Sequence, residues 1–230
     1  MIPRKIHYCW FGGNPLPKDV RKYIESWKKY CPNYEIKEWN ERNFDIQCNQ
    51  YVKEAYHHKK WAFVSDVARI SALYQEGGIY LDTDVEIIRS LDALLSNQLF
   101  LGFEGTQWIG TNIMGAEKGH PLLKKFLDEY ELRSFINDDG SLDLTTNVEK
   151  LTRLLIDTYG IELTGIEQQS GDVHIYPTDY FSPYDYIQGR VKKTKNTYSI
   201  HWFSQSWIKR PLWKKILSIW YHRLCGIKMK

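Results

Sequence analysis

Asp82 and Asp84 stand one residue apart directly behind the apolar run Gly77-Gly78-Ile79-Tyr80-Leu81. A chain leaving a short strand can turn so that both carboxylates aim at one point, which suits a single hard cation. Oxygen ligands favour Mg²⁺ or Mn²⁺, and a site with only two carboxylates leaves coordination positions for water and for the phosphate oxygens of a substrate. The chemistry open to such a pair is metal-assisted transfer from a diphosphate. Taken alone, an Asp-x-Asp equally describes solvated or capping groups in a turn. Upstream, Asp66 and Arg69 are three residues apart and share one face of a helix. By spacing alone they describe a surface ion pair.

The surrounding sequence must bring these groups to one place. Apolar residues at 67, 70, 73 and 74 keep helical spacing and end at the glycine pair 77 and 78, which predicts a helix over about 62–75, a turn, and a strand at 78–82. Residues 4–11 alternate and are β-prone, Pro15 and Pro17 break the run, an amphipathic helix is expected at about 18–30, and 34–39 reads as a second strand. This opening βαβ unit implies a parallel sheet covered by helices. Residues 43–56 read as loop and short helix, 85–88 as another extended piece, 100–103 and 112–115 as short strands, 121–130 and 147–159 as helices, and 174–177 and 198–202 as late strands. A metal motif at a strand end places the site at the carboxyl edge of the sheet, where open α/β folds bind ligands.

Ser-Asp-x-x-Arg followed by Leu-Tyr-x-x-Gly-Gly-Ile-Tyr-Leu-Asp-x-Asp-x-Glu, residues 65–86, resembles the signature of the family 32 glycosyltransferases, the group with the Asp-x-Asp sugar-binding region. The same layout is similar to the glucosylating domain of the large clostridial toxins. Residues 2–13, Ile-Pro-Arg-Lys-Ile-His-Tyr-Cys-Trp-Phe-Gly-Gly, resemble the opening strand and loop of both groups. The likeness continues through Asn112-Ile113-Met114-Gly115-Ala116 and Gly119-His120-Pro121 and returns at His201 and Ser206-Trp207. It implies a GT-A fold, a single Rossmann-like mixed sheet flanked by helices.

The resemblance also implies roles. Asp84 would coordinate the metal directly, Asp82 would hold the donor ribose or sugar and reach the metal through water, and His201 would be a third metal ligand. A lone late histidine is otherwise a packed or surface residue. Trp10 matches the residue that stacks on uracil, against the bland reading of a core tryptophan at a strand end. Asp66 and Arg69 would contact the transferred sugar and the leaving diphosphate, a task that suits a guanidinium because it stays charged and grips phosphate with two hydrogen bonds. Tyr80 would touch the nucleotide, Asn112 a sugar hydroxyl, and Ser206 and Trp207 would close over the diphosphate. Where many family members carry Thr-Gly-Pro, this chain has Thr145-Thr146-Asn147, a departure on the acceptor side.

At 230 residues the chain fits one domain with a small appendage. The expected division is a GT-A domain over 1–207 and a basic amphipathic helix over 208–230. From Lys209 onward there are seven Lys or Arg and no acidic residue, while Leu212, Trp213, Ile216, Leu217, Ile219, Trp220 and Leu224 recur at helical spacing. Such a helix can lie on an anionic membrane or pack its apolar face on the domain; charge of one sign together with interfacial Trp favours membrane contact. A net charge of +3 with no basic stripe over the first 200 residues excludes a nucleic-acid binder. Nine Trp and sixteen Tyr exceed what a core usually demands and suit sugar platforms, although core packing accounts for most of them. Cys9, Cys31, Cys48 and Cys225 form no Cys-x-x-Cys and no zinc spacing, and the N-terminus runs into a strand without a signal peptide, so a cytoplasmic enzyme is expected, possible contact with the inner face of the membrane included.

The function these readings support is a Mn²⁺- or Mg²⁺-dependent, retaining transfer of a hexose from a nucleotide sugar, UDP-galactose or UDP-glucose, to a lipid-linked saccharide acceptor in capsule, exopolysaccharide or O-antigen synthesis. Retention is expected through attack from the leaving-group side without a covalent intermediate. The alternatives are toxin-like glucosylation of a protein, disfavoured because large helical additions are lacking, and a catalytically silent sugar-binding or scaffold protein, disfavoured by the intact acidic residues.

Overall fold

The computed structural model describes residues 1–185 and 188–204. Its first strand, β1 (Lys5–Cys9), is followed by α1 (Lys18–Tyr30) and β2 (Glu35–Trp39). In α1 the residues Val20, Ile24 and Trp27 recur one turn apart and are buried, so the apolar stripe docks on the sheet while the lysines stay in water. Strands β1 and β2 pair in parallel, as a βαβ unit requires. Next come α2 (Gln50–His57) and α3 (Trp61–Glu76), the latter buried on most of its circumference because it lies between the sheet and α4 (Pro121–Glu131).

Helix α3 ends at Gly77, and β3 (Gly78–Leu81) begins at once. Gly77 (φ 65) and Gly78 (φ 111) both lie in the region open to glycine, and a Cβ on Gly78 would stand 2.9 Å from the Lys5 carbonyl oxygen. The turn is held from beneath by His7. The Trp39 indole donates to His7 Nδ1 (3.0 Å), so the proton is on Nε2, which donates to the Gly77 carbonyl (2.8 Å).

The remaining strands are β4 (Val85–Ile87), β5 (Leu99–Glu104), β6 (Trp108–Ala116), β7 (Gln168–Ser170), β8 (Val173–Tyr176), β9 (Tyr184–Asp185), β10 (Arg190–Val191) and β11 (Ser199–His201), with helices α5 (Asn147–Tyr159) and α6 (Thr178–Phe181). Seven strands form one mixed sheet in the order β2-β1-β3-β6-β5-β8-β7. Strand β3 is parallel to β1 and antiparallel to β6. Two short ribbons stand outside this sheet, β9 with β10 and β4 with β11. The extended piece after Asp84 therefore leaves the main sheet instead of prolonging it. One core, containing Val67, Leu101, Phe103, Met114 and Leu151, packs beneath α2 to α5. The other, with Trp27, Ile79, Leu81, Val85, Phe100 and Phe181, lies beneath α1, α6 and the β4–β11 ribbon. The alternation of Ile79 and Leu81 against Tyr80 divides β3 between them.

Ser206, Trp207 and the expected helix over 208–230 lie outside the described residues. Among the described residues no helix is long and apolar enough to cross a membrane.

Candidate active site

Asp82 and Asp84 occupy the turn between β3 and β4. The Asp82 amide donates to the Asn112 carbonyl (2.8 Å) and the Val85 amide to the Asp82 carbonyl (3.0 Å), which sets the bend. Beyond it, the buried Trp27 indole donates to the Val85 carbonyl (2.8 Å) and the Ile87 amide to Ser26 Oγ (3.0 Å), so α1 fixes where β4 starts. The late strand β11 pairs antiparallel with β4, with His201 opposite Val85. Residues more than a hundred positions apart are thereby brought together, and the His201 Nε2 lies 3.3 Å from Asp84 Oδ1.

Ligand atoms of Asp82, Asp84 and His201 all lie within 4.8 Å of one another. The set of two carboxylates and an imidazole fits a divalent cation of the Mn²⁺ or Mg²⁺ kind. His201 Nδ1, buried and without a hydrogen-bond partner, is consistent with a side chain left incompletely satisfied by protein groups alone. Burial pushes the Asp84 carboxyl upward, but the His201 side chain and the Ser204 amide and hydroxyl (2.8 and 2.9 Å) outweigh it and hold the group at about 2. For His201, burial works against the charged form, and Asp84, Glu104 and Asp82 together raise it above the ordinary histidine value. The cluster is thus strongly anionic around one imidazole.

Arg69 and Asp66 are buried on the sheet-facing side of α3, so the surface ion-pair reading of their spacing does not apply. Arg69 Nη2 lies 3.1 Å from Asp66 Oδ1, and Nη1 lies 3.1 Å from Asp82 Oδ1 and donates to the Thr111 carbonyl (2.9 Å) and hydroxyl (3.2 Å). The guanidinium also lies over the Tyr80 ring, 4.6 Å from its centroid. With its donors committed to protein groups, Arg69 fixes both carboxylates in place. Burial pushes the Asp66 carboxyl up to about 6 despite Arg69, and Asp82 adds to the rise.

Tyr80 lies beneath the site, 2% exposed, and donates to Asp82 Oδ1 (3.0 Å). Trp10, half-buried at the end of β1, donates through its indole to the Asn14 carbonyl (2.6 Å). Since β1 and β3 are neighbours, Trp10 and Asp82 share the carboxyl edge of the sheet. Asn112 is buried on β6 and donates to Ser182 Oγ (3.3 Å).

Three further residues join the site that the sequence did not single out for it or saw only as a departure. Glu104, at the end of β5, approaches His201 Nδ1 to 4.0 Å, and burial raises its carboxyl above the usual range. Asn147 begins α5 and donates to the Asp66 carbonyl (3.4 Å), leaving its own buried Oδ1 without a partner. Lys150, one turn later, is buried over the rings of Tyr51 and Tyr130 and paired with Asp143 at 3.0 Å. The only sequence signal for Asn147 and Lys150 was their placement after Thr145-Thr146; for Glu104 there was none, because its position depends on strand register.

Residues 17–101 match the model of the glycosyltransferase sugar-binding region containing the DXD motif. The chain is 33% identical over 134 residues to inositol phosphoceramide mannosyltransferase 3 of Schizosaccharomyces pombe, covering 53% of this chain and 35% of that protein. It is 29% identical over 170 residues to the uncharacterized glycosyltransferase L373 of Acanthamoeba polyphaga mimivirus, covering 69% of this chain and 66% of that one. The chain therefore spans between about a third and two thirds of the length of these curated relatives. Among solved structures, the PaToxG glycosyltransferase superposes with a TM-score of 0.52 at 17% identity, over 68% of each chain. That likeness concerns the fold, a mixed sheet flanked by helices of the GT-A type.

Proposed function

We propose that the chain, whose residues 17–101 match the glycosyltransferase sugar-binding region containing the DXD motif, is a glycosyltransferase of that group and transfers a hexose from a nucleoside diphosphate sugar to a saccharide acceptor, with retention of configuration. The observation that carries this reading is the convergence of Asp82, Asp84 and His201 at the carboxyl edge of the sheet, beside the buried Asp66–Arg69 pair. Asp82, Asp84 and His201 are the residues that would hold Mn²⁺ or Mg²⁺. When bound, the cation supplies Lewis-acid stabilisation of the leaving diphosphate.

The chain's own groups do the rest. Arg69 locks Asp82 and Asp66 in fixed positions, so that no reorganisation is needed as charge moves toward the diphosphate. Asp66 accepts from a hydroxyl of the transferred sugar, and the Trp10 indole receives the base on the β1 side of Asp82. The bond from the anomeric carbon to the diphosphate oxygen breaks, the acceptor oxygen forms the new bond on the same face, and its proton passes to the departing phosphate.

Trp10 favours a uridine donor, and UDP-galactose and UDP-glucose are the donors of choice. A second reading, GDP-mannose, draws on the names of two relatives. One is the fission yeast mannosyltransferase, and the other is mannosyl phosphorylinositol ceramide synthase SUR1 of Saccharomyces cerevisiae, 25% identical over 139 residues. Both names refer to a glycolipid, which together with the basic amphipathic sequence 208–230 favours a lipid-linked acceptor at the cytoplasmic face of a membrane, as in capsule, exopolysaccharide or O-antigen synthesis. Hydrolysis of a panel of UDP- and GDP-sugars with and without Mn²⁺ tests the proposal. Metal-dependent turnover of one donor is expected, and no turnover or binding of any of them would leave the catalytically silent scaffold protein as the better account.

A further inference from the structure

Lys150 carries a buried charge that the proposed transfer steps leave unused. Its side chain is only 3% exposed, and the ammonium lies against α2 and α4, over the rings of Tyr51 (4.8 Å to the centroid) and Tyr130 (5.1 Å). Of its three donors one reaches Asp143 Oδ2 (3.0 Å), and no other acceptor among the described residues takes a hydrogen bond from it. Asp143 is fixed in turn by accepting from the Thr145 amide (3.0 Å). A buried ion pair often stabilises a fold no better than apolar residues of similar volume, and a methionine would cover the two rings as well. Packing therefore does not explain the charge.

What the charge faces is Asp66. Asn147 and Lys150 are three residues apart on α5 and share a face; Asn147 donates to the Asp66 carbonyl (3.4 Å), so that face is turned toward Asp66. The titratable and charged groups around the Asp66 carboxyl are Arg69 on its own helix, Asp82 after β3, Cys9 of β1, Tyr51 of α2, Tyr130 of α4 and Lys150 of α5. Burial pushes the ionisation of Cys9 and both tyrosines upward, so these three are neutral. The two phenol oxygens have no hydrogen-bond partner, so neither donates to the carboxylate. Arg69 and Lys150 are then the cations that act on it, and Arg69 is shared with Asp82, 3.1 Å from each.

The signs of the charges fit this arrangement. From the loop before α5 to the acidic turn, Asp143, Lys150, Asp66, Arg69 and Asp82 alternate between negative and positive. Burial drives the Asp66 carboxyl up, Arg69 and Lys150 oppose the rise, and Asp82 adds to it. Burial likewise pulls the Lys150 ammonium below its ordinary value, and Asp143 supports its charge. Resting on the glycosyl-transfer reading, we infer that Lys150, held by Asp143, is a positioning residue for Asp66: it keeps that carboxylate ionised, so that it accepts from a hydroxyl of the transferred sugar.

Carbon-13 NMR of labelled aspartate carboxyls reads the coupling on the full chain without metal or donor, with the Asp66 signal assigned by its loss in Asp66→Asn. In wild type the midpoint is expected at about 6. Lys150→Met and Lys150→Gln both remove the charge, the second keeping an N–H donor for Asp143, and each should raise the midpoint by about one unit. Unchanged midpoints, or a midpoint that moves in Lys150→Met alone and so reports packing, overturn the inference. A second readout separates the two readings. With a donor that turns over, the acid limb of kcat/KM should move to higher pH by about one unit in both variants, while the rate at pH 8 stays within about twofold of wild type. A merely structural role would lower the rate equally at every pH; that pattern, or an unmoved limb, overturns the assignment. A raised NMR midpoint in a chain that turns over no donor would keep the coupling of Lys150 to Asp66 and sink the transferase reading.

Discussion

Asp66→Asn is expected to stabilise the metal-free protein while removing its activity. The Asp66 side chain is only 12% exposed, and its carboxyl stands at about 6 against an ordinary 3.8 because burial opposes its charge more than Arg69 supports it. The folded state therefore holds the proton more tightly than the unfolded chain. Above pH 6 the ionised carboxylate works against folding by about 3 kcal/mol, at 1.36 kcal/mol for each of roughly two units. This cost fades as pH falls through 6 and is gone below 3.8. Asn keeps the shape and an oxygen that can accept from Arg69, whose contacts to Asp82 and Thr111 remain. Urea unfolding in EDTA should then show the variant more stable than wild type by about 2–3 kcal/mol at pH 8, with the curves meeting near pH 4. Donor turnover should fall about a hundredfold, as for loss of one preorganised polar group in an active site. A variant less stable than wild type at pH 8, or a difference that does not change between pH 4 and 8, would refute the reasoning.

Two further outcomes follow from the supports of the site. His7→Ala leaves the Trp39 indole and the Gly77 carbonyl without their buried partner, so a loss of about 2–4 kcal/mol is expected in denaturant unfolding; a loss below about 1 kcal/mol would remove His7 from the turn's support. Burial also holds the His7 imidazole below its ordinary value, so wild-type stability should decline as pH drops below 6.5, and that part of the decline should be missing in the variant. Glu76 bridges Lys5 (2.9 Å) and Lys37 (2.5 Å); burial opposes its charge, yet the two lysines hold its carboxyl at about 2. Its contribution is complete above pH 4.5 and lost toward pH 2, so Glu76→Gln should cost about 1–2 kcal/mol at pH 7 after solvent screening and nothing at pH 2, as read by melting across pH. A penalty of equal size at both ends would refute it.

Local pattern carried far where one element determines its own geometry. The stripe of Val20, Ile24 and Trp27 marks α1 at the expected 18–30, and the acidic turn sits at the end of β3 as its apolar run requires. Asp66 and Arg69 share a face, as i,i+3 spacing demands, but spacing cannot say whether that face meets water, and here it meets β6. Strand β6 extends over Trp108–Ala116, well beyond the expected 112–115, because Gly110 and Gly115 hide a strand whose neighbours need the room; a Cβ on Gly115 would lie 2.0 Å from the Phe100 ring. Resemblance alone singled out His201, and its place depends on β11 pairing with β4, a contact set by register between distant segments. Glu104 was illegible for the same reason, since only the register of β5 and the pairing of β11 bring it to 4.0 Å from His201.

The most direct test of the account is a calorimetric titration of Mn²⁺ into the protein, alone and with UDP, for wild type and Asp84→Asn. One Mn²⁺ should bind per chain, more tightly with UDP present, and binding should be lost in the variant. UDP binding of equal strength with and without metal, or Mn²⁺ binding unchanged in Asp84→Asn, would contradict it.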